Sequence, residues 1–277
     1  MAWVSYRQNG AAHVGIVDGD SYVPLGGIVR IGPGAGFAEL AAAPREESDR
    51  VAASAVELLP ASWAPQKVFC VGLNYNEHIA ETKRENSEYP VLFPKFASNL
   101  IAADRPIIAP PESTQVDYEG ELAVIIGTGG RRIARDEAMN HVLGFSVAND
   151  VTMRDYQYKT HQWVQGKAWD GSTPVGPYVV GVDEVDISHA RIRTVVDGVT
   201  VQDSDLSHLI FDIPTLVSTI SEFTELQPGD IILTGTPGGV GFRREPQLFL
   251  VPGTVVTVKI EGVGSMTNTV VAEPGTE

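Results

Sequence analysis

Glu119 and Glu121 lie two residues apart in Asp117-Tyr118-Glu119-Gly120-Glu121-Leu122-Ala123-Val124-Ile125-Ile126-Gly127. In a strand, a period of two places Asp117, Glu119, Glu121, Ala123 and Ile125 on one face. The apolar stretch that follows predicts burial of at least part of that strand. Carboxylates sharing a face repel one another, and burial makes each charge more costly. A divalent cation relieves both, and oxygen-only ligands suit Mg²⁺, Mn²⁺ or Ca²⁺ rather than zinc. Asp150 ends the apolar run Val142 to Asn149 and offers a third oxygen ligand, leaving room for water and substrate. Asp117 is an alternative, but it precedes the apolar core of its strand and is expected near the surface. Two alternating glutamates also fit a solvated strand edge whose carboxylates touch only water.

A second group is acid–base in type. In Asn74-Tyr75-Asn76-Glu77-His78-Ile79-Ala80-Glu81, Asn74 suits the cap of a short helix that would bring His78 and Glu81 within reach at i and i+3. A carboxylate on one imidazole nitrogen raises its basicity and frees the other to take a proton from water. The same pair also reads as an ordinary surface contact worth a few tenths of a kcal/mol. Lys167, between Gly166 and Ala168-Trp169, suits a partly desolvated ammonium facing a developing oxyanion; a solvated lysine is the plain alternative. Other chemistries are excluded. Thr234-Gly235-Thr236-Pro237-Gly238-Gly239-Val240-Gly241 lacks the Lys-Ser/Thr of a phosphate-binding loop and the dinucleotide glycine spacing, and no Gly-x-Ser-x-Gly elbow occurs. That loop still offers backbone N–H groups and the Thr236 hydroxyl to a carboxylate, or serves as a plain tight turn. Cys70 sits in an apolar run and reads as a buried structural thiol.

The elements that must position these residues are mostly strands. The chain has 277 residues, 43% hydrophobic and 20% charged, enough for a sizeable core. Glycine and proline, 28 and 18, favour turns and short strands over a helical bundle. Trp3 to Tyr6, His13 to Val17 and Tyr22 to Leu25, punctuated by Asn9-Gly10 and Asp18-Gly19, predict a three-stranded meander. Helical spacing of Val51, Ala52, Ala55, Val56 and Leu59 predicts a helix from Ser48 to Leu59. Pro60 to Pro65 then marks a boundary between a small domain, 1–65, and a larger one, 66–277. Further strands are expected at Lys67 to Gly72, Gly120 to Gly127, Val142 to Asn149, Tyr178 to Val182, Asp230 to Thr236 and Thr254 to Glu261. The clearest helix starts at Asp212, an N-cap with Pro214 in the first turn. Strands among helices without regular βαβ alternation give an α+β, mainly β fold. A formal charge of −15 disfavours nucleic acid and anionic membrane. One cysteine and no signal sequence or apolar span predict a cytoplasmic protein.

Taken in order, these segments resemble the fumarylacetoacetate hydrolase (FAH) superfamily from about Lys67 to Glu261. The resemblance rests on Val71-Gly72-Leu73-Asn74-Tyr75 with His78 and Glu81, and on Asp117-Tyr118-Glu119-Gly120-Glu121-Leu122-Ala123. It continues in Ala148-Asn149-Asp150-Val151-Thr152 with Arg154, Asp155 and Gln157, in Gly166-Lys167 with Thr173-Pro174-Val175-Gly176-Pro177, and in Leu233 to Gly241. It implies an FAH-like mixed β-roll with a small N-terminal α/β domain, and a homodimer. It implies Mg²⁺ or Mn²⁺ on Glu119, Glu121 and Asp150, a His78–Glu81 dyad on a lid, and Lys167 as a catalytic cation. Gln157, Thr236 and Arg154 match positions that hold an oxo-acid substrate, and Phe93-Pro94-Lys95 also fits a family segment. The expected activity is C–C bond hydrolysis of an acylpyruvate or related 2,4-dioxo acid through a cation-stabilised enolate, giving pyruvate and a carboxylic acid. An oxaloacetate-type decarboxylase and a hydroxy-dienedioate isomerase or decarboxylase of aromatic catabolism are alternatives on the same site. A Ca²⁺-stabilised binding module is the non-catalytic alternative. Tyr156 to Gln165, with His161, Gln162 and Trp163, lines the distal pocket in the first reading, or packs its own aromatics.

Overall fold

Asn9-Gly10 and Asp18-Gly19 close hairpins because the backbone there turns left-handed, with φ of 50° at Asn9 and 82° at Gly10. In the computed structural model, which describes residues 1–76 and 88–275, Ala2–Gln8, Ala11–Asp18 and Ser21–Pro24 form the expected antiparallel meander. The meander does not stand apart. Ala2 pairs with Val180 and Trp3 with Val179, so its first strand continues a twelve-stranded sheet through Thr173–Gly181, Val142–Asn149, Gly120–Ile126, Ile231–Leu233, Val68–Gly72 and Val91–Lys95. A second sheet of five strands is ordered Val199–Asp205, Arg191–Val196, Val255–Ile260, Gly264–Ala272 and Ile107–Ala109. The architecture is α+β and mainly β, as expected.

Gly120–Ile126 lies at the centre and is buried along its whole length. Leu122, Val124 and Ile126 face a core shared with Ile192, Val258, Ile260 and Met266 of the five-stranded sheet and with the helix Ile213–Phe223. Ala123 and Ile125 face a second core with Trp3, Val14, Val175 and Val179. A strand covered on both faces reads as a continuous apolar run rather than an alternating one. Each large aliphatic side chain buried there contributes about 1.5–3 kcal/mol. Glu121, on the Ala123 face, is therefore anchored by a strand buried along its whole length.

The helix Ile213–Phe223 forms as its sequence specifies: Asp212 caps it by accepting from Thr215 N at 3.0 Å, and Pro214 lies in its first turn. The helix expected over Ser48 to Leu59 does not form. Glu47–Asp49 and Ala53–Ala55 are single 3₁₀ turns, while Val51–Ala52 and Glu57–Leu58 are short strands. The meander edges offer unpaired backbone groups that this segment satisfies: Val51 pairs with Tyr22, and Leu58 with Tyr6. Val51 then packs with Val4, Tyr6 and Tyr22 in a small core, so tertiary pairing overrides the local helical period. Among the described residues, no helix is long and apolar enough to cross a membrane.

Candidate active site

The register of two central strands brings the acidic residues together. Gly120 pairs with Asn149 and Glu121 with Ala148, so Glu119 and Asp150 meet at one end of the pair, where Asp150 N donates to Glu119 O at 2.8 Å. Asn149 Oδ1 accepts from Glu119 N at 2.9 Å and holds the end of the strand. On the other side Ala123 pairs with Leu233, which carries the Gly-rich loop past Glu121, and Gly235 N donates to Glu121 Oε2 at 2.8 Å. Gly235 has φ of 100°, and a Cβ there would lie 2.8 Å from Asn74 Cβ, so only glycine fits this approach. One ligand oxygen each of Glu119, Glu121 and Asp150 lies within 4.8 Å of the others, and all three residues are buried. The solvated strand edge is thereby excluded.

Among the described residues, three cations surround these acids. Lys167 Nζ sits 2.7 Å from Glu119 Oε2 and 2.8 Å from Asp150 Oδ2. Arg154 Nη2 is 2.7 Å from Glu119 Oε1, and Lys95 Nζ is 2.9 Å from Asp150 Oδ1. Burial opposes the Lys167 charge, but Asp150 and Glu119 outweigh it and raise its pKa above the usual lysine range. The ammonium is thus held as a cation, fit for electrostatic stabilisation and unfit to act as a base. Glu121 differs from its neighbours. Among the described residues it has no ion pair, and burial, then repulsion from Asp150 and Glu119, pushes its carboxyl well above the usual carboxylate range.

That imbalance tests whether a dication fits. With Asp117, four buried carboxylates face three cations among the described residues, a formal excess of one negative charge, and Glu121 is the carboxylate without a cation. An all-oxygen donor set with one unpaired, nearly inaccessible carboxylate is suited to a hard divalent ion. Glu119, Glu121 and Asp150 would hold it.

Asp117 is not near the surface, as expected from its position, but fully buried. Its Oδ1 accepts from Tyr118 N and Gly241 N, both at 2.8 Å, and its Oδ2 from Phe242 N at 2.9 Å and Arg154 Nε at 2.8 Å. It braces Arg154 and the loop beyond Val240 rather than joining the acidic triad. Lys95, suggested in the sequence only as part of a matching segment, is the other buried residue whose place emerges here. It also donates to Val151 O at 3.1 Å, to Thr173 Oγ1 at 2.8 Å and to the Lys167 carbonyl. It closes the strand Val91–Lys95, and the matching segment Phe93-Pro94-Lys95 was its only sequence signal.

Arg154, Gln157 and Lys167 converge because two single-turn helices, Arg154–Gln157 and Val164–Lys167, pack backbone to backbone. A Cβ on Gly166 would lie 2.5 Å from Gln157 N. Gln157 Oε1 accepts from Arg154 Nη1 at 2.9 Å, which fixes the amide so that its NH₂ has no protein acceptor among the described residues. Glu119, Arg154, Gln157 and Lys167 line the polar side of a cleft, and Phe93, Tyr158, Trp163 and Phe242 line its aromatic side. Trp163 packs edge-on against Phe93 at 5.5 Å, and Tyr158 stacks on Phe242 at 5.3 Å. His161 and Gln162 line a neighbouring hollow that shares Phe93, Tyr158 and Trp163. Thr236 reaches the cleft, but its hydroxyl donates to Gly120 O at 3.0 Å and accepts from Gln202 Nε2 at 2.8 Å, so its proton is committed to the protein. His78 and Glu81 lie outside the described residues.

The family model for the fumarylacetoacetate (FAA) hydrolase C-terminal domain matches residues 67–271, spanning the segments that carried the resemblance. Oxaloacetate tautomerase fahd2, mitochondrial, of Xenopus laevis is 41% identical over 221 residues, covering 79% of this chain and 69% of its own. Human oxaloacetate tautomerase FAHD2A, mitochondrial, is 40% identical over 237 residues, 84% of this chain and 73% of its own. A solved 5-carboxymethyl-2-hydroxymuconate delta-isomerase from Mycobacterium smegmatis superposes with a TM-score of 0.84 at 31% identity, over 99% of this chain and 100% of that one. A maleylpyruvate hydrolase from Sphingobium, solved with manganese(II) and pyruvate, superposes with a TM-score of 0.76 at 26% identity, over 98% and 99%.

Proposed function

The chain belongs to the fumarylacetoacetate hydrolase family, and from that premise we propose that it is a divalent-metal-dependent enzyme interconverting the keto and enol forms of a short 2-oxo acid of the oxaloacetate type. The observation that carries the reading is the buried triad Glu119, Glu121 and Asp150, of which Glu119 lines the cleft, with Lys167 bound to Glu119 and Asp150 and lining the same cleft. A hard dication on those carboxylates would supply Lewis-acid stabilisation to an enolate oxygen. The curated relatives at 40–41% identity carry the tautomerase name, which supports this reaction over the others the same site allows.

The chain's own residues divide the remaining work. Lys167, held charged between Glu119 and Asp150, places a fixed positive charge beside the reacting oxygens. Gln157 offers its amide N–H to the substrate, oriented by Arg154. His78 backed by Glu81 takes the proton from C3 of the keto form, or from the 2-hydroxyl of the enol, and returns it to the other atom. Phe93, Tyr158, Trp163 and Phe242 exclude water from one side of the cleft.

C–C hydrolysis is the second reading, and the uncommitted Gln157 amide favours it, since a tetrahedral oxyanion needs such a donor. There His78 would deprotonate a water that attacks the distal carbonyl, and cleavage would release pyruvate. One experiment separates the readings. Enol loss from oxaloacetate, followed by ultraviolet absorbance, and pyruvate release from acetylpyruvate and fumarylpyruvate are measured with Mg²⁺, Mn²⁺ and EDTA. Metal-dependent enol loss without pyruvate release is the expected result; pyruvate release would put hydrolysis first. Metal-dependent melting with no turnover on any of these compounds would leave the binding module.

A further inference from the structure

Among the described residues, three cationic side chains line the cleft: Arg154, Lys167 and Arg243. The first two are buried and held by Asp117, Glu119 and Asp150. Arg243 is exposed at the rim and has no ion pair among the described residues; its guanidinium carbon lies 5.1 Å from the Phe242 ring centroid. Its backbone is tied to the acidic centre. Gly241 N and Phe242 N both donate to Asp117, which receives Arg154 Nε, and Arg154 Nη2 reaches Glu119. The separation between Arg243 and the triad is thereby set by a short chain of buried polar contacts rather than by a free loop.

Charge balance indicates what this cation faces. The excess of one negative charge at the acidic centre becomes one positive charge with a dication, which a single carboxylate at the 2-oxo end of a substrate neutralises. A second carboxylate would meet no uncompensated cation in that centre among the described residues, and the chain carries a formal charge of −15. Among the described residues, Arg243 is the cleft cation left to receive it.

We propose that Arg243 receives the distal carboxylate of the substrate, which makes the enzyme selective for 2-oxo dicarboxylates over 2-oxo monocarboxylates. The inference rests on the 2-oxo-acid reading above and adds the residue that sets the substrate class. Arginine suits the task because its planar fork binds a carboxylate through two parallel N–H groups, which lysine cannot reproduce.

The test uses oxaloacetate and 2-oxobutanoate, which differ at C4 in carrying a carboxylate or a methyl group, with oxalate as a probe of the chelating end alone. Each is titrated by fluorescence into the Mn²⁺-loaded wild type, R243K and R243M. Wild type is expected to prefer oxaloacetate over 2-oxobutanoate by about tenfold, a charge-assisted contact discounted for its exposed position. R243M should abolish the preference and R243K keep part of it, with oxalate binding unchanged in both. An R243M protein that retains the preference, or that loses oxalate by the same factor, overturns the proposal. Failure of the Mn²⁺-loaded wild type to bind oxalate would instead remove the 2-oxo-acid reading itself, and this inference with it.

Discussion

Replacing Asp117 by asparagine should separate bracing from metal binding. The carboxylate is fully buried and accepts four hydrogen bonds, two on each oxygen: Tyr118 N and Gly241 N on Oδ1, Phe242 N and Arg154 Nε on Oδ2. In asparagine one of these oxygens becomes an NH₂ group. Whichever way the amide is turned, two donors then confront a donor, and one orientation sets that clash against the Arg154 guanidinium. Each unsatisfied buried partner costs about 1–3 kcal/mol, and the weakened charge pair adds to it, so Asp117→Asn should destabilise by about 3–5 kcal/mol. Asp203→Asn is the control. Asp203 bonds Arg191 at 2.5 and 2.8 Å, but on an exposed edge where such pairs contribute roughly 0–1 kcal/mol. Urea denaturation of both variants with EDTA, fitted with a common m-value, gives the two numbers. Since Asp117 is not a ligand of the proposed ion, Mn²⁺ should still raise the Asp117→Asn midpoint. The reasoning is refuted if Asp117→Asn costs no more than Asp203→Asn, or if it abolishes the Mn²⁺ response.

The reverse pattern is expected of Glu121→Gln. Gln keeps the acceptor for Gly235 N and removes the unpaired charge, so the protein should unfold in EDTA at least as late as wild type while losing its stabilisation by Mg²⁺ or Mn²⁺, about 2.7 kcal/mol for wild type at a hundredfold excess over Kd; differential scanning fluorimetry reads both. Lys167→Met should lower kcat by roughly a hundredfold with a smaller change in KM, because the ammonium acts on charge that develops during the reaction; an unchanged kcat would take lysine out of the mechanism. His78→Ala should abolish enol–keto interconversion and leave metal-induced stabilisation intact, and loss of both would mean that His78 is not a proton carrier but part of the metal site.

Local pattern determined a large part of this protein. The Asn-Gly and Asp-Gly turns, the Asp212 cap with Pro214, and the apolar runs Val68–Gly72, Gly120–Ile126 and Val142–Asn149 each carry their structure within a few residues, since turn chemistry and burial period act at short range. The Glu119–Glu121 pair was legible for the same reason: a period of two fixes which side chains share a face. Its union with Asp150 follows from hairpin register, which the sequence suggests only through the strand-end position of that aspartate.

Tertiary structure alone decided the rest. Val51 and Leu58 entered strands because Tyr22 and Tyr6 presented free backbone edges, which no periodicity within 48–59 encodes. Asp117 became a buried brace because Arg154 and the Gly241–Phe242 backbone close over it from 37 or more residues away. Lys95 and Lys167 are ordinary lysines in isolation, and only folding delivers Asp150 to both of them and Glu119 to Lys167. A carboxylate's role depends on which cations and N–H groups surround it. Those partners come from remote parts of the chain, so the residue types announced the chemistry while only the folded arrangement assigned it.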